Sequence, residues 1–228
     1  KFLPHPTEPQ KEAGLKRILA LANSHGLTSA GDQSGSAEDA ALFRKLRDAG
    51  QLTVRVDFAY NIDPADPLDK VEAQLKALPG PGADGDGMFR SDQIGETGLD
   101  GAELTALLEE DYPGRPGYRG LQKVPTEQFG KFAALVAKYG YRLRPHAVGN
   151  AAIDEALDAF EYANQQVPIT KRRWMIDHAF LLGPQHYERV KRLGLIINSQ
   201  YMHNYELGAL ILKAWKRPLA DRSEPYAE

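Results

Sequence analysis

The sequence of 228 residues contains no cysteine. That removes disulfides and thiolate ligands, so any metal held by this chain is held by His, Asp or Glu. Long apolar runs are missing too: none approaches the ~20 residues that span a bilayer. The opening KFLPHPTEPQ lacks the charged-then-apolar order of a secretory signal. There is no excess of positive charge, with 28 Lys and Arg against 31 Asp and Glu and a net charge of -3. This argues against nucleic acid or an anionic membrane as partner, and the one dense basic run, Lys171-Arg172-Arg173, reads as a solvated loop. No G-x-G-x-x-G follows a predicted strand and no G-x-x-x-x-G-K-[ST] occurs, so a nucleotide-binding sheet lacks its phosphate cradle. A G-x-S-x-G elbow is also absent, which disfavours acyl-enzyme chemistry. Cytoplasm is the default compartment, and a start at Lys1 rather than Met points to a processed or partial polypeptide.

What is present is a repeated alternation of short β-branched runs and helical stripes, in a chain long enough for one large domain or a substantial piece of one. Strands are expected at 27–32, 52–60, 92–98, 141–148, 173–180 and 195–200. Between them, Thr7 with Gln10 and Ser36 with Asp39 read as capping boxes that open helices. The first helix carries a stripe of Leu15, Ile18, Leu19 and Ala22; a later one carries Ile153, Ala156, Leu157, Phe160 and Ala163. PGPGADGDGMFRS (79–91) reads as a flexible loop. Six strands alternating with helices imply parallel pairing through right-handed crossovers. The fold class expected is α/β, a (β/α)8 TIM-type barrel with about six of its eight βα units, rather than a doubly wound sheet.

His146 and His178 stand at the carboxyl ends of consecutive predicted strands, where a barrel carries its active site. Neighbouring strands are about 4.8 Å apart, so two imidazoles placed this way can converge on one divalent ion. Taken alone, each reads more readily as a structural histidine bonded to a loop carbonyl; the pair at equivalent positions favours a ligand role. Glu96, in QIGETG at the end of the preceding strand, completes a two-His, one-carboxylate set. Possible contributors around it are Asp32, Arg119, Asn198, Gln200 and His203. Strand alternation places Asp177 on the face opposite to His178. His5, His25 and His186 read as structural.

At these residues the sequence resembles the metal-dependent hydrolases of amidohydrolase family 3. HGLTSAGD, TVRVDFAY, YPGRPGYRG, HAVGNAAIDEALDAFE and MIDHAFLLGPQHYERVKRLGLIINSQ resemble successive family motifs, in order, over nearly the whole chain. The resemblance implies a barrel of which residues 1–228 form the central portion, strands two to seven, with a divalent ion, zinc or another. It implies hydrolysis of a carbon–nitrogen bond other than a peptide bond, by attack of a metal-activated water on a carbonyl-type carbon of a small-molecule substrate. It carries over His146 and His178 as ligands and puts Glu96 where the family has lysine or glutamate; no lysine lies near this strand in the sequence, which argues against a carboxylated-lysine bridge. The family's His-x-His and its last-strand aspartate are not found in these 228 residues, and Asn150 replaces an aspartate, a change expected to weaken a hydrogen bond. The chain is therefore expected to be a fragment or subunit, inactive alone or completed by a complementing chain or a homo-oligomer. A non-catalytic scaffold is the alternative, with a metal-dependent lyase or deaminase as a third reading.

Overall fold

The computed structural model describes residues 5–84, 87–200, 202–217 and 219–223. The elements run α1 (Glu8–Ser24), β1 (Ser29–Gly35), α2 (Ala37–Asp48), β2 (Arg55–Tyr60), α3 (Leu68–Ala77), β3 (Phe89–Gly98), α4 (Thr126–Lys138), β4 (Arg142–Ala147), α5 (Asn150–Gln166), β5 (Met175–His178), α6 (Pro184–Leu193), β6 (Ile196–Asn198) and α7 (Met202–Trp215). The strands form one sheet in the order β1-β2-β3-β4-β5-β6, and the β1–β2, β4–β5 and β5–β6 pairs are parallel. This is the expected barrel-type succession of six βα units. No helix among the described residues is long and apolar enough to cross a membrane.

The chain divides into two compact units, residues 1–61 with 79–93, and 62–78 with 94–228. In the first, both capping boxes form: Thr7 N–H donates to Gln10 Oε1 at 2.8 Å, and Ser36 N–H donates to Asp39 Oδ2 at 3.0 Å while Ser36 Oγ accepts from Asp39 N–H. The stripe expected on α1 is not buried as drawn. Among the α1 stripe residues only Leu19 is buried, while Ile18 is 64% exposed. Ion pairs from Glu8 and Glu12 to Lys45 tie α1 to α2 instead. The flexible loop expected at 79–91 includes residues 85–86, which lie outside the described residues. Of its remainder, Asp84 is gripped by Arg44 and Arg47, and Phe89–Ser91 already belong to β3, three residues earlier than expected.

In the second unit the stripes of α4 and α5 bury Phe129, Phe132, Val136, Ile153, Leu157 and Phe160. Phe160 meets the Trp174 ring edge-on at 5.0 Å. β5 covers only 175–178 of the expected 173–180, since Arg173 has φ 56° and Ala179 φ 48°, neither an extended conformation. A turn at Gly194 (φ 65°) ends α6; its Cα lies so close to Thr170 O that an added Cβ would stand 2.3 Å from that oxygen. Beyond the strand ends, Ala106, Leu108, Tyr112, Val148, Phe180, Leu181, Ile211, Trp215 and Leu219 make a second apolar cluster. Replacing Phe160 with alanine removes a fully buried ring against Trp174. Urea denaturation of Phe160→Ala is expected to show a loss of about 3–5 kcal/mol.

Candidate metal centre

Three strands of the second unit end in side chains that meet. Glu96 lies two residues before the end of β3, His146 one before the end of β4, and His178 closes β5. Glu96 Oε1 is 2.8 Å from His146 Nδ1 and 2.7 Å from His178 Nε2. The two rings are 4.5 Å apart between centroids, far inside the ~10 Å beyond which one ion with ~2 Å bonds cannot serve both. One nitrogen or oxygen from each residue lies within 4.8 Å of the other two.

His178 reaches this position through its backbone. Asp177 and His146 are register partners, and Asp177 pairs with Arg144, two residues before His146. Asp177, Arg144 and His146 therefore share a face, and simple alternation would send His178 to the other one. A φ of 73° at His178, rare for a residue with a Cβ, breaks the alternation and turns the imidazole toward Glu96. The expectation about Asp177 is thus corrected: alternation fails at the last residue of β5, and Asp177 lies beneath the site.

The outward nitrogen of each ring meets an acceptor. His178 Nδ1 is 2.6 Å from Gln200 Oε1, and His146 Nε2 is 3.3 Å from the Gly101 carbonyl. Gln200 Nε2 donates to the Asn198 carbonyl at 2.9 Å, which fixes the amide so that its oxygen faces His178. With the outward nitrogens protonated, His146 Nδ1 and His178 Nε2 are the lone-pair donors of the neutral rings, the tautomers a divalent ion requires. The donor set and its orientation fit such an ion.

Hydrogen bonds from His146 and then His178 hold the Glu96 carboxyl far below the usual carboxylate range. Burial disfavours the charged form of His178, but the Glu96 hydrogen bond and charge outweigh it and raise the pKa.

The other expected residues are distributed unevenly. Gln200 is a direct partner of His178. His203, in the first turn of α7, has its ring 5.7 Å from that of His178 and 4.9 Å from Phe180, so it lines the site. Asn198 Nδ2 donates to Asp177 Oδ1 at 2.5 Å, below the site rather than in it. Arg119 is exposed and paired with Asp111 at 3.0 Å. Asp32 belongs to β1 in the first unit, half-buried, with its pKa raised by burial. His186 is fully buried and Nδ1 accepts the Gly183 N–H, in line with its structural reading. Asn150 is held to Glu109 at both ends of its amide: Nδ2 donates to Glu109 Oε2 at 2.6 Å and Oδ1 accepts the Glu109 N–H. A lysine does come to β3, from the loop before α4: the side chain of Lys123 packs against Gly98, where an added Cβ would stand 2.9 Å from Nζ. It reaches the strand two residues beyond Glu96, and the sequence distance hid it.

Asp100 and Arg144 were missed. Asp100 is fully buried, accepts N–H bonds from Leu107, Val148 and Gly149, and lies 3.6 Å from His146 Nε2; burial raises its pKa against those donors. The Asp-Gly pair just after β3 was a turn signal, but nothing local showed that it closes on the loop after β4. Arg144, a charge within a strand buried on both faces, was the readable sign of a buried counter-charge.

A parallel strand-and-helix fold with a two-histidine, one-carboxylate cluster at its strand ends defines a barrel-type protein with a metal-capable site. The chain belongs to the amidohydrolase family, whose model matches residues 1–228. It is 30% identical over 99 residues to the protein LONG AFTER FAR-RED 3 of Arabidopsis thaliana, covering 43% of this chain and 17% of that protein. It is 29% identical over 127 residues to the protein YtcJ of Bacillus subtilis, covering 56% of this chain and 22% of that one. An uncharacterized metal-dependent hydrolase from Pyrococcus furiosus superposes with a TM-score of 0.79 at 23% identity, over 98% of this chain and 44% of its own. The chain thus spans less than half of each of these relatives.

The Glu96 and His178 shifts have a sign that solution work can check. A depressed carboxyl stabilises the metal-free fold above its ordinary value of 4.5 and loses this as pH falls toward its native value. A raised imidazole stabilises below its ordinary 6.5 and loses this as pH rises through its native value. Metal-free protein should therefore be most resistant to urea between about pH 4.5 and 6.5, and Glu96→Gln should flatten that maximum.

Proposed function

We propose that this chain carries the metal-binding part of an amidohydrolase that cleaves a carbon–nitrogen bond of a small molecule, with Glu96, His146 and His178 as ligands. The observation that supports it best is the convergence of these three side chains from three successive strands, with each imidazole held in the ligand tautomer by Gln200 or Gly101. Family membership and the likeness to a metal-dependent hydrolase point the same way. Zinc suits a set of two nitrogens and one carboxylate with an open position.

A bound divalent ion supplies Lewis-acid polarisation of a substrate carbonyl and lowers the pKa of water. The residues of this chain do the rest. Gln200 keeps the proton on Nδ1 of His178, and the Gly101 carbonyl keeps it on Nε2 of His146. Glu96 stays ionised across the physiological range and contributes the negative charge. Phe180, fully buried beside His178 and His203, keeps water from that side of the site. His203 is placed to meet the substrate.

Two measurements test this. Metal analysis after loading with zinc or cobalt is expected to give one ion per chain, with tighter binding as pH rises and His178 gives up its proton. His146→Ala and His178→Ala should each abolish stoichiometric binding. A screen of amides, carbamates and aminopurines, by the full-length protein, separates amide or carbamate hydrolysis from hydrolytic deamination. A chain that folds but holds no divalent ion would mark it as a scaffold instead.

A further inference from the structure

Directly beneath the cluster lies a second layer that the proposed chemistry does not use. Asp177 is fully buried, and Arg144 is 4% exposed in its side chain. Arg144 Nε donates to Asp177 Oδ2 at 2.9 Å and Nη2 to Oδ1 at 2.7 Å; Asn198 Nδ2 donates to the same Oδ1. One carboxylate therefore clasps β4, β5 and β6. β3 joins through Gly95, whose lack of a Cβ admits the Arg144 stem: an added Cβ would stand 2.2 Å from Arg144 Cγ.

Each member of this layer precedes a member of the site by one or two residues. Gly95 comes one residue before Glu96, Arg144 two before His146, Asp177 one before His178, and Asn198 two before Gln200. A displacement of any of these strands passes to its site residue with almost no intervening chain to absorb it. A buried ion pair is a weak source of stability, since apolar side chains of similar volume do as well or better. Ligands must nevertheless be held within about 0.5 Å to bind well.

We infer that Arg144, Asp177 and Asn198 are positioning residues: their clasp sets the spacing of His146, His178 and Gln200 so that the site is pre-shaped for its ion. This rests on the metal-binding reading and adds that the affinity is set one layer below the ligands.

The test compares the parent chain with the double variant Arg144→Met/Asp177→Leu and the single variant Asn198→Ala. Cobalt is the probe, read by its dissociation constant and its visible d–d absorption, with urea denaturation of the metal-free forms alongside. The parent is expected to bind one cobalt ion. The double variant should fold with a urea midpoint close to the parent's, bind cobalt about 10–100-fold more weakly and show a shifted d–d spectrum. Asn198→Ala should move both readouts in the same direction by less, and it carries the test if the double variant does not fold. Parent-like affinity and spectrum in a folded variant would overturn the inference while leaving the metal site standing. A parent chain that binds no cobalt fails the metal reading itself, before any variant is made, and the inference with it.

Discussion

Glu96 offers one carboxylate oxygen to two imidazoles that arrive on separate strands, at 2.8 and 2.7 Å. In a half-buried site this arrangement is stable only if charge is balanced, by protons on the rings or by a divalent ion among them. The acceptors behind the rings choose the tautomers, the Asp100 carboxylate pins the loops that flank His146, and Phe180 packs edge-on against the His178 ring.

The scaffold explains why residues 50 and 32 positions apart can meet so closely. Parallel strands joined by helices bring their carboxyl ends to one edge of the sheet, so each strand presents one side chain to the same space. The register is then decisive, because a slip of one residue would put Pro145 or Ala147 in the place of His146. Pairing of Asp177 with both His146 and Asn198 in the ladders fixes it, and the side-chain bonds of Asp177 to Arg144 and Asn198 repeat the same constraint inside the sheet.

Much of this was legible in the chain itself. The six strands came from β-branched runs bounded by glycine and polar turns, and the helices from stripes of period 3.6 and from Ser36 and Thr7 as caps. The metal candidates came from side-chain type at strand ends, a pattern local enough to read. The failures have physical causes. Ile18 lies in the apolar stripe of α1 yet is exposed, since period alone does not say how wide a face the neighbours cover. Lys123 and Asp100 act across loops whose course depends on contacts remote in sequence. His178 escapes alternation because a single φ is left-handed, and no side-chain pattern announces it.

By itself the sequence determined the element order, the parallel α/β class and the choice of Glu96, His146 and His178 as the candidate donors, because hydrophobic periodicity and strand-end placement are properties of neighbouring residues. Only the tertiary structure decided that the donors converge, which nitrogen of each ring faces inward, and that a buried Arg144–Asp177–Asn198 layer underlies them. Those features depend on register, on one positive φ and on partners tens of residues away, and such distances are fixed by packing and hydrogen bonding between strands rather than along them.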